Sequence, residues 1–245
     1  QILQSLPQAI QTMLDPADCG PACLSLCQDV QGETFEYPEE FFKERVHNIR
    51  RPKPDDFQIK QAVERIKNSK NPIIISGGGV FYSDAMDELG NFAVKHNIPV
   101  TQTVMGYSTM KRDHSHFVGP IGGLGGKAAN NLAKETDLAI CIGTKLADFT
   151  TGSWANFENP EFKLVSINIA RHDANKHLAE AVIGDAKVSL IELSNALGDW
   201  RSSDSWHKKS QDELKSWNEY VDKESGPTNQ ELPSYAHAVG AIYRN

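Results

Sequence analysis

Short apolar runs alternate along this chain with segments whose apolar residues recur every three or four positions. Pro72–Ser76 and Leu138–Ile142 are runs of strand length, the pattern of a parallel strand buried on both faces. Ile98–Thr103, Leu164–Ile169 and Ala181–Ile183 predict further strands. Between them, helical spacing marks Asp56–Lys67, Ser83–His96, Ala128–Lys134, Asp173–Leu178 and Ala186–Leu197, with Ser83 the expected N-cap of its helix. Strands alternating with helices predict βαβ units. The expected fold class is α/β, a Rossmann-like parallel sheet of five or six strands with helices on both faces.

The flanks differ from this unit. Leu6, Ile10 and Met13 predict a short helix that Asp15-Pro16 ends, because the residue before proline leaves the α region. Ala22–Val30 is expected to be a strand, and Gly32–Pro54, rich in Pro, Glu and Arg, a linker. Met105–Gly126 is expected to be a long loop holding six glycines. Ser202–Glu224 is a polar helix with Trp206, Leu214, Trp217 and Val221 on its sparse apolar side. Tyr235, Ala238, Val239 and Ile242 predict a last helix still running at Asn245. With no Met at Gln1, this suggests a segment cut from a longer chain. The divisions expected are 1–31, a linker over 32–54, a compact domain over 55–200, a helical linker over 201–231 and a final piece over 232–245.

Composition narrows the function classes. A formal net charge of −7 and no basic-aromatic stripe argue against a nucleic-acid partner. No apolar run approaches bilayer length, so no membrane partner is expected. The cysteines at 19, 23, 27 and 141 lie among apolar or small residues, which suits reduced thiols in a cytoplasmic protein. Their spacing lacks a second close pair and does not predict a zinc site.

Several motifs admit two readings. Gly77-Gly78-Gly79 follows a strand and precedes a helix, as a phosphate-approaching turn does. Tyr82 stands where a dinucleotide fingerprint needs Gly or Ala, so a plain tight turn stays open. Gly123-Leu124-Gly125-Gly126-Lys127-Ala128 fits Gly-x-Gly-x-x-Ala, but no strand is expected before it, and a loop entering a helix is favoured. Asp113-His114-Ser115-His116 is expected to be a polar, exposed loop rather than a metal site. The strongest set is Lys145, Asp148, Thr150, Thr151 and Ser153, after the Leu138–Ile142 strand. Ligands of parallel sheets bind at the carboxyl ends of strands. Such hydroxyls and a lysine can hold a phosphate or sugar, or can simply cap a following helix.

Together these segments resemble thiamine-diphosphate enzymes of the acetolactate synthase type, which combine pyrimidine-binding, middle and diphosphate-binding domains. Asp18-Cys19-Gly20-Pro21-Ala22 resembles the end of the pyrimidine domain, and Pro72-Ile73-Ile74-Ile75-Ser76-Gly77-Gly78-Gly79 the first strand of the middle domain. Thr103-Val104-Met105-Gly106 and Gly119-Pro120-Ile121-Gly122 resemble its next loops, and Leu232-Pro233-Ser234-Tyr235 the start of the diphosphate domain. Asp148-Phe149-Thr150-Thr151-Gly152-Ser153-Trp154 is most similar to the trihydroxycyclohexane-dione hydrolase family of inositol catabolism.

The resemblance implies that the middle domain lends an active-site or cofactor rim through Gly77, Gly78, Gly79, Thr103, Met105, Gly106, Thr144, Lys145, Asp148 and Thr151. It implies no catalytic or metal-ligating residue within the chain. Thiamine diphosphate and Mg²⁺ belong to the whole enzyme, which hydrolyses a C–C bond of a cyclic diketone. An acetolactate synthase-like carboligase domain and an FAD- or ADP-binding module are the alternatives. Phe149 follows Asp148 where FAD-binding relatives carry Arg, which makes FAD unlikely. The implied partners are the other two domains, a small-molecule substrate and further copies, as a homodimer or homotetramer.

Overall fold

A computed structural model describes all residues from Gln1 to Asn245. After helix α1 (Ile2–Leu14), the chain runs without strand until α2 (Asp56–Lys67) and β1 (Pro72–Ser76). Then follow α3 (Gly78–Tyr82), α4 (Met86–His96), β2 (Val100–Gln102), β3 (Phe117–Pro120), α5 (Lys127–Glu135) and β4 (Leu138–Ile142). The second half adds α6 (Asp148–Thr151), β5 (Lys163–Asn168), α7 (Arg171–Ala174), β6 (Glu180–Ile183), α8 (Ala186–Leu197), α9 (Asp204–Glu224) and α10 (Tyr235–Arg244). No helix is long and apolar enough to cross a membrane.

The six strands form one sheet in the order β3-β2-β1-β4-β5-β6, all parallel. The Rossmann-like α/β architecture expected from the sequence is therefore present. The two central strands pair from Pro72 opposite Leu138 to Ser76 opposite Ile142, and every residue of both is buried. Alternate side chains feed two cores. Ile74, Ile140 and Val165 face Leu89, Phe92 and Leu193 on one side of the sheet. Ile73, Ile75 and Cys141 face Leu132 and Trp206 on the other. Helix α9 is seated by Trp206, whose Nε1 donates to the Pro72 carbonyl at 2.8 Å.

Four expectations are corrected. Ala22–Val30 forms no strand; it has no neighbouring strand to pair with, and Leu24 and Leu26 are exposed. Cys19, Cys23 and Cys27 are exposed with it, and only Cys141 sits among apolar residues. The Met105–Gly126 stretch is not all loop, because Phe117–Pro120 forms edge strand β3. Ser83 does not cap the following helix. It ends α3, and its hydroxyl donates instead to Asp185, the N-cap of α8. Asp185 also accepts from the Lys187 and Val188 amides and pairs with Arg51 at 3.2 Å, clasping the incoming segment to the domain.

Candidate functional site

The chain winds one way from β1 to β3 and the other way from β4 to β6. In an open parallel sheet, ligands bind outside the carboxyl ends of strands where the direction reverses. Here that crevice is filled by glycine backbone. A Cβ on Gly77 would lie 2.4 Å from the Gly143 carbonyl oxygen, and one on Gly79 2.6 Å from the Gly143 Cα. The Gly77 amide donates to Ile142 at 2.8 Å, and that of Gly79 to Gly143 at 2.9 Å. Two N–H groups that a phosphate would use at this turn are therefore engaged by the last residue of β4 and the first of the loop after it. Gly106 closes the β1–β2 junction in the same way, since a Cβ there would lie 2.2 Å from the Ser76 carbonyl oxygen.

A second junction joins the loops after β3 and β4. Gly122 has φ +105°, and its Cβ would lie 2.1 Å from the Phe149 carbonyl oxygen. The Gly123 amide donates to that oxygen at 2.7 Å. From α5, Asn130 clasps Gly122 twice: Oδ1 accepts from the Gly122 amide at 2.9 Å, and Nδ2 donates to its carbonyl at 3.0 Å. A third junction reaches the β5 side. Ser153 and Trp154 are both left-handed, at φ +55° and +68°, which only firm surroundings maintain. Trp154 meets His177 edge-on with ring centroids 4.6 Å apart. The loops after β1 to β5 thus form one interlocked crown.

Gly77, Gly78, Gly79, Thr103, Met105, Gly106 and Thr144 gather where β1, β2 and β4 end. Lys145 and Asp148 stand exposed farther along the crown, whereas Thr150 and Thr151 are buried beneath it. Local turns occupy most of the hydroxyls. Thr103 Oγ1 accepts from the Gly106 amide at 3.0 Å, and Thr144 Oγ1 from the Leu146 amide at 3.2 Å. Thr151 Oγ1 donates to the Asp148 carbonyl at 3.4 Å, and Ser153 Oγ to the Asp148 carboxylate at 2.9 Å. Of this set, the charged side chains of Lys145 and Asp148 face outward.

What sequence reasoning missed, Met105 apart, is the apolar face of the crown. Phe81, Tyr82, Met105, Tyr107, Leu124 and Phe149 are all more than half exposed there. The available signal was large apolar residues just past strand ends, outside any helical or strand period. His116 was also misplaced: it is buried, stacked on His207 with ring centroids 4.2 Å apart, and bonded to Asn97. Burial, reinforced by the neighbouring His207, pushes its pKa down to about 4. No three His, Cys, Asp or Glu side chains converge as a metal site would need.

Residues 59–193 match the family model described as thiamine pyrophosphate enzyme, central domain. The chain belongs to that family. The matched span runs from α2 into α8 and so contains every strand and every loop of the crown. Curated relatives of this central domain include the 3D-(3,5/4)-trihydroxycyclohexane-1,2-dione hydrolase of Clostridium perfringens (strain 13 / Type A), 42% identical over 89% of this chain and 34% of the relative. A relative from Bacillus cereus (strain ZK / E33L), 3D-(3,5/4)-trihydroxycyclohexane-1,2-dione hydrolase 1, is 44% identical over 83% of this chain and 32% of its own length. That of Bacillus anthracis (strain CDC 684 / NRRL 3495) is 37% identical over 98% of this chain and 39% of its own. The chain thus spans about a third of the length of these relatives.

Proposed function

We propose that this central domain works within a thiamine pyrophosphate-dependent enzyme that hydrolyses a C–C bond of a cyclic 1,2-diketone in inositol catabolism. The activity for which relatives 37–44% identical are named supports the reaction class. The observation that carries the role of the domain is the crown itself: an interlocked edge that turns apolar side chains outward while its Thr and Ser hydroxyls are engaged in local turns. Such a surface suits a wall that excludes water and shapes an approach, supplied to chemistry held by other domains. Water addition across the C–C bond leaves one carbonyl carbon as a carboxylate and places a proton on the carbon released; no residue of this chain is assigned to either event.

The donor set supports holding the cofactor elsewhere. A Mg²⁺-anchored diphosphate needs several convergent oxygen ligands, and the acidic side chains here do not converge. The residues of this chain therefore do not fit thiamine diphosphate with Mg²⁺ by themselves. A cytoplasmic location is proposed on the three exposed cysteines, none paired in a disulfide, which suit a reducing compartment. Assembly as a homodimer or homotetramer is proposed on the breadth of the exposed apolar crown.

The test is steady-state hydrolysis of trihydroxycyclohexane-1,2-dione by the whole enzyme that carries this central domain. Met105→Ala trims an exposed rim group, and Asp148→Asn removes an exposed charge while keeping an acceptor oxygen for Ser153. Each is expected to lower kcat/KM about tenfold with melting unchanged, the size of effect misplaced approach groups produce. Unchanged kcat/KM in both variants would remove the rim from the reaction.

A further inference from the structure

Every crossover in this sheet except one carries a helix of its own. The chain leaves β2 through a single 3-10 turn at Val104–Gly106 and reaches β3 by open loop. Strand β3 is the edge of the sheet. No helix of its own covers this crossover, and α9, packed against α5 on the opposite face of the sheet, reaches the same edge at β3. The result is a cleft of about 690 Å³, within the range that small organic ligands occupy.

Its chemistry is two-sided. Met110, Phe117 and Leu214 supply apolar wall, and half-buried Trp217 supplies a ring. Lys111 and Arg112 stand together on its lining with no carboxylate partner, in a chain of net charge −7. The Arg112 guanidinium meets a neutral group: the Tyr243 ring centroid lies 5.3 Å away and its hydroxyl accepts at 3.4 Å. Gln102, only 6% exposed, also lines the cleft, and its Oε1 is buried without a hydrogen-bond partner. A buried acceptor left unmade costs free energy that a ligand donor recovers. The terminal torsion of Gln is broad, so its amide can turn to meet one.

We propose that the cleft between β3 and α9 binds a small planar carboxylate. Its aromatic body lies against Phe117 and Trp217, its carboxylate meets Lys111 and Arg112, and a hydroxyl on the ring donates to Gln102. This site lies beyond the β2 side of the sheet, away from the glycine-filled β1–β4 junction. Thr103, Tyr107 and Leu124 of the crown also line it, but Lys111, Arg112 and Gln102 lie outside the residues assigned to the rim, so binding there does not rest on the activity proposed above.

The experiment is calorimetric titration of the full chain with 2-naphthoate, 6-hydroxy-2-naphthoate and neutral 2-naphthamide. Saturable one-site binding of both acids is expected, with the amide about tenfold weaker because it lacks the charge. The exposed pair Lys111→Gln and Arg112→Gln together should weaken the acids about tenfold and leave the amide unchanged. Gln102→Leu should abolish the advantage of the hydroxylated acid over 2-naphthoate, while both still bind. No saturable binding, or binding of the acids unaffected by the double charge removal, overturns the proposal. Circular dichroism of each variant separates lost binding from lost fold.

Discussion

The two ends of the sheet are closed by different means. At the carboxyl ends, backbone meets backbone, and the closure rests on glycine at 77, 79, 106, 122 and 143. At the amino ends, side chains make the closure. Asp137, before β4, accepts from Ser69 Oγ at 2.5 Å and from the Lys70 and Asn71 amides at 2.8 and 3.0 Å. Asn97, before β2, donates to Ser202 and Asp204, and the stacked His116 and His207 fill the space beside it. One end is held chiefly by backbone shape; the other is held by polar side chains, the buried His116 among them. Function can occupy the glycine end because its outward side chains are not needed to hold it together.

The largest expected effect breaks the glycine end. Gly122→Ala puts a methyl 2.1 Å from a backbone oxygen, at a φ of +105° that a Cβ also disfavours. Neither the Phe149 carbonyl nor the Asn130 clasp can retreat without moving the 148–154 loop. A loss of about 4 kcal/mol or more is expected by urea unfolding. Loss of the near-ultraviolet dichroism of Trp154 should accompany it. A variant that melts like the parent would mean that the loops are not locked.

The next prediction addresses the amino end through pH. In the fold, burial and His207 hold His116 near pKa 4. Burial likewise holds His207 below its ordinary value, with Arg201 adding to this and Asp204 opposing. In the unfolded chain His116 titrates near 6.5. Between these values the unfolded state binds the proton and the folded state does not. Stability is therefore complete above about pH 6.5 and falls as pH drops toward 4. At 1.36 kcal/mol per unit, the His116 contribution to that fall is roughly 3 kcal/mol at most. Urea midpoints at pH 7 and 5 measure it. His116→Gln should flatten the slope; an equal slope in that variant would place the proton elsewhere.

The same contrast explains what was legible in the sequence. Pro72–Ser76 and Leu138–Ile142 appear as strands because central parallel strands are buried on both faces and need unbroken apolar runs. Asp56–Lys67 and Ala186–Leu197 end where their caps and spacing place them. Phe117–Pro120 escaped because an edge strand can be short and tolerate Gly and Pro. Ala22–Val30 has apolar content but no neighbour strand, and pairing is not a local property. The crown residues Gly77–Gly79 and Thr144 were found by position, since loops after strands are where ligands meet such sheets. Their packing against Gly143 was not legible, because the partner lies on another strand. His116 fails for the same reason: His207, which buries it, is far along the chain.

The smallest expected effect sharpens the comparison most. Phe149 contributes to the crown twice. Its carbonyl oxygen accepts from the Gly123 amide at 2.7 Å, while its ring is 71% exposed. If shape alone closes this end, the ring is dispensable to stability although the backbone of the same residue is not. Phe149→Ser keeps the carbonyl and removes the ring, so its unfolding free energy is expected to stay within about 0.5 kcal/mol of the parent, as exposed positions usually do. Gly122→Ala leaves the ring and disturbs the carbonyl. Urea unfolding of the two variants side by side thus separates what holds the crown from what the crown presents. A Phe149→Ser variant as unstable as Gly122→Ala would show that outward apolar side chains help hold this end together, and the division between the two ends of the sheet would fail.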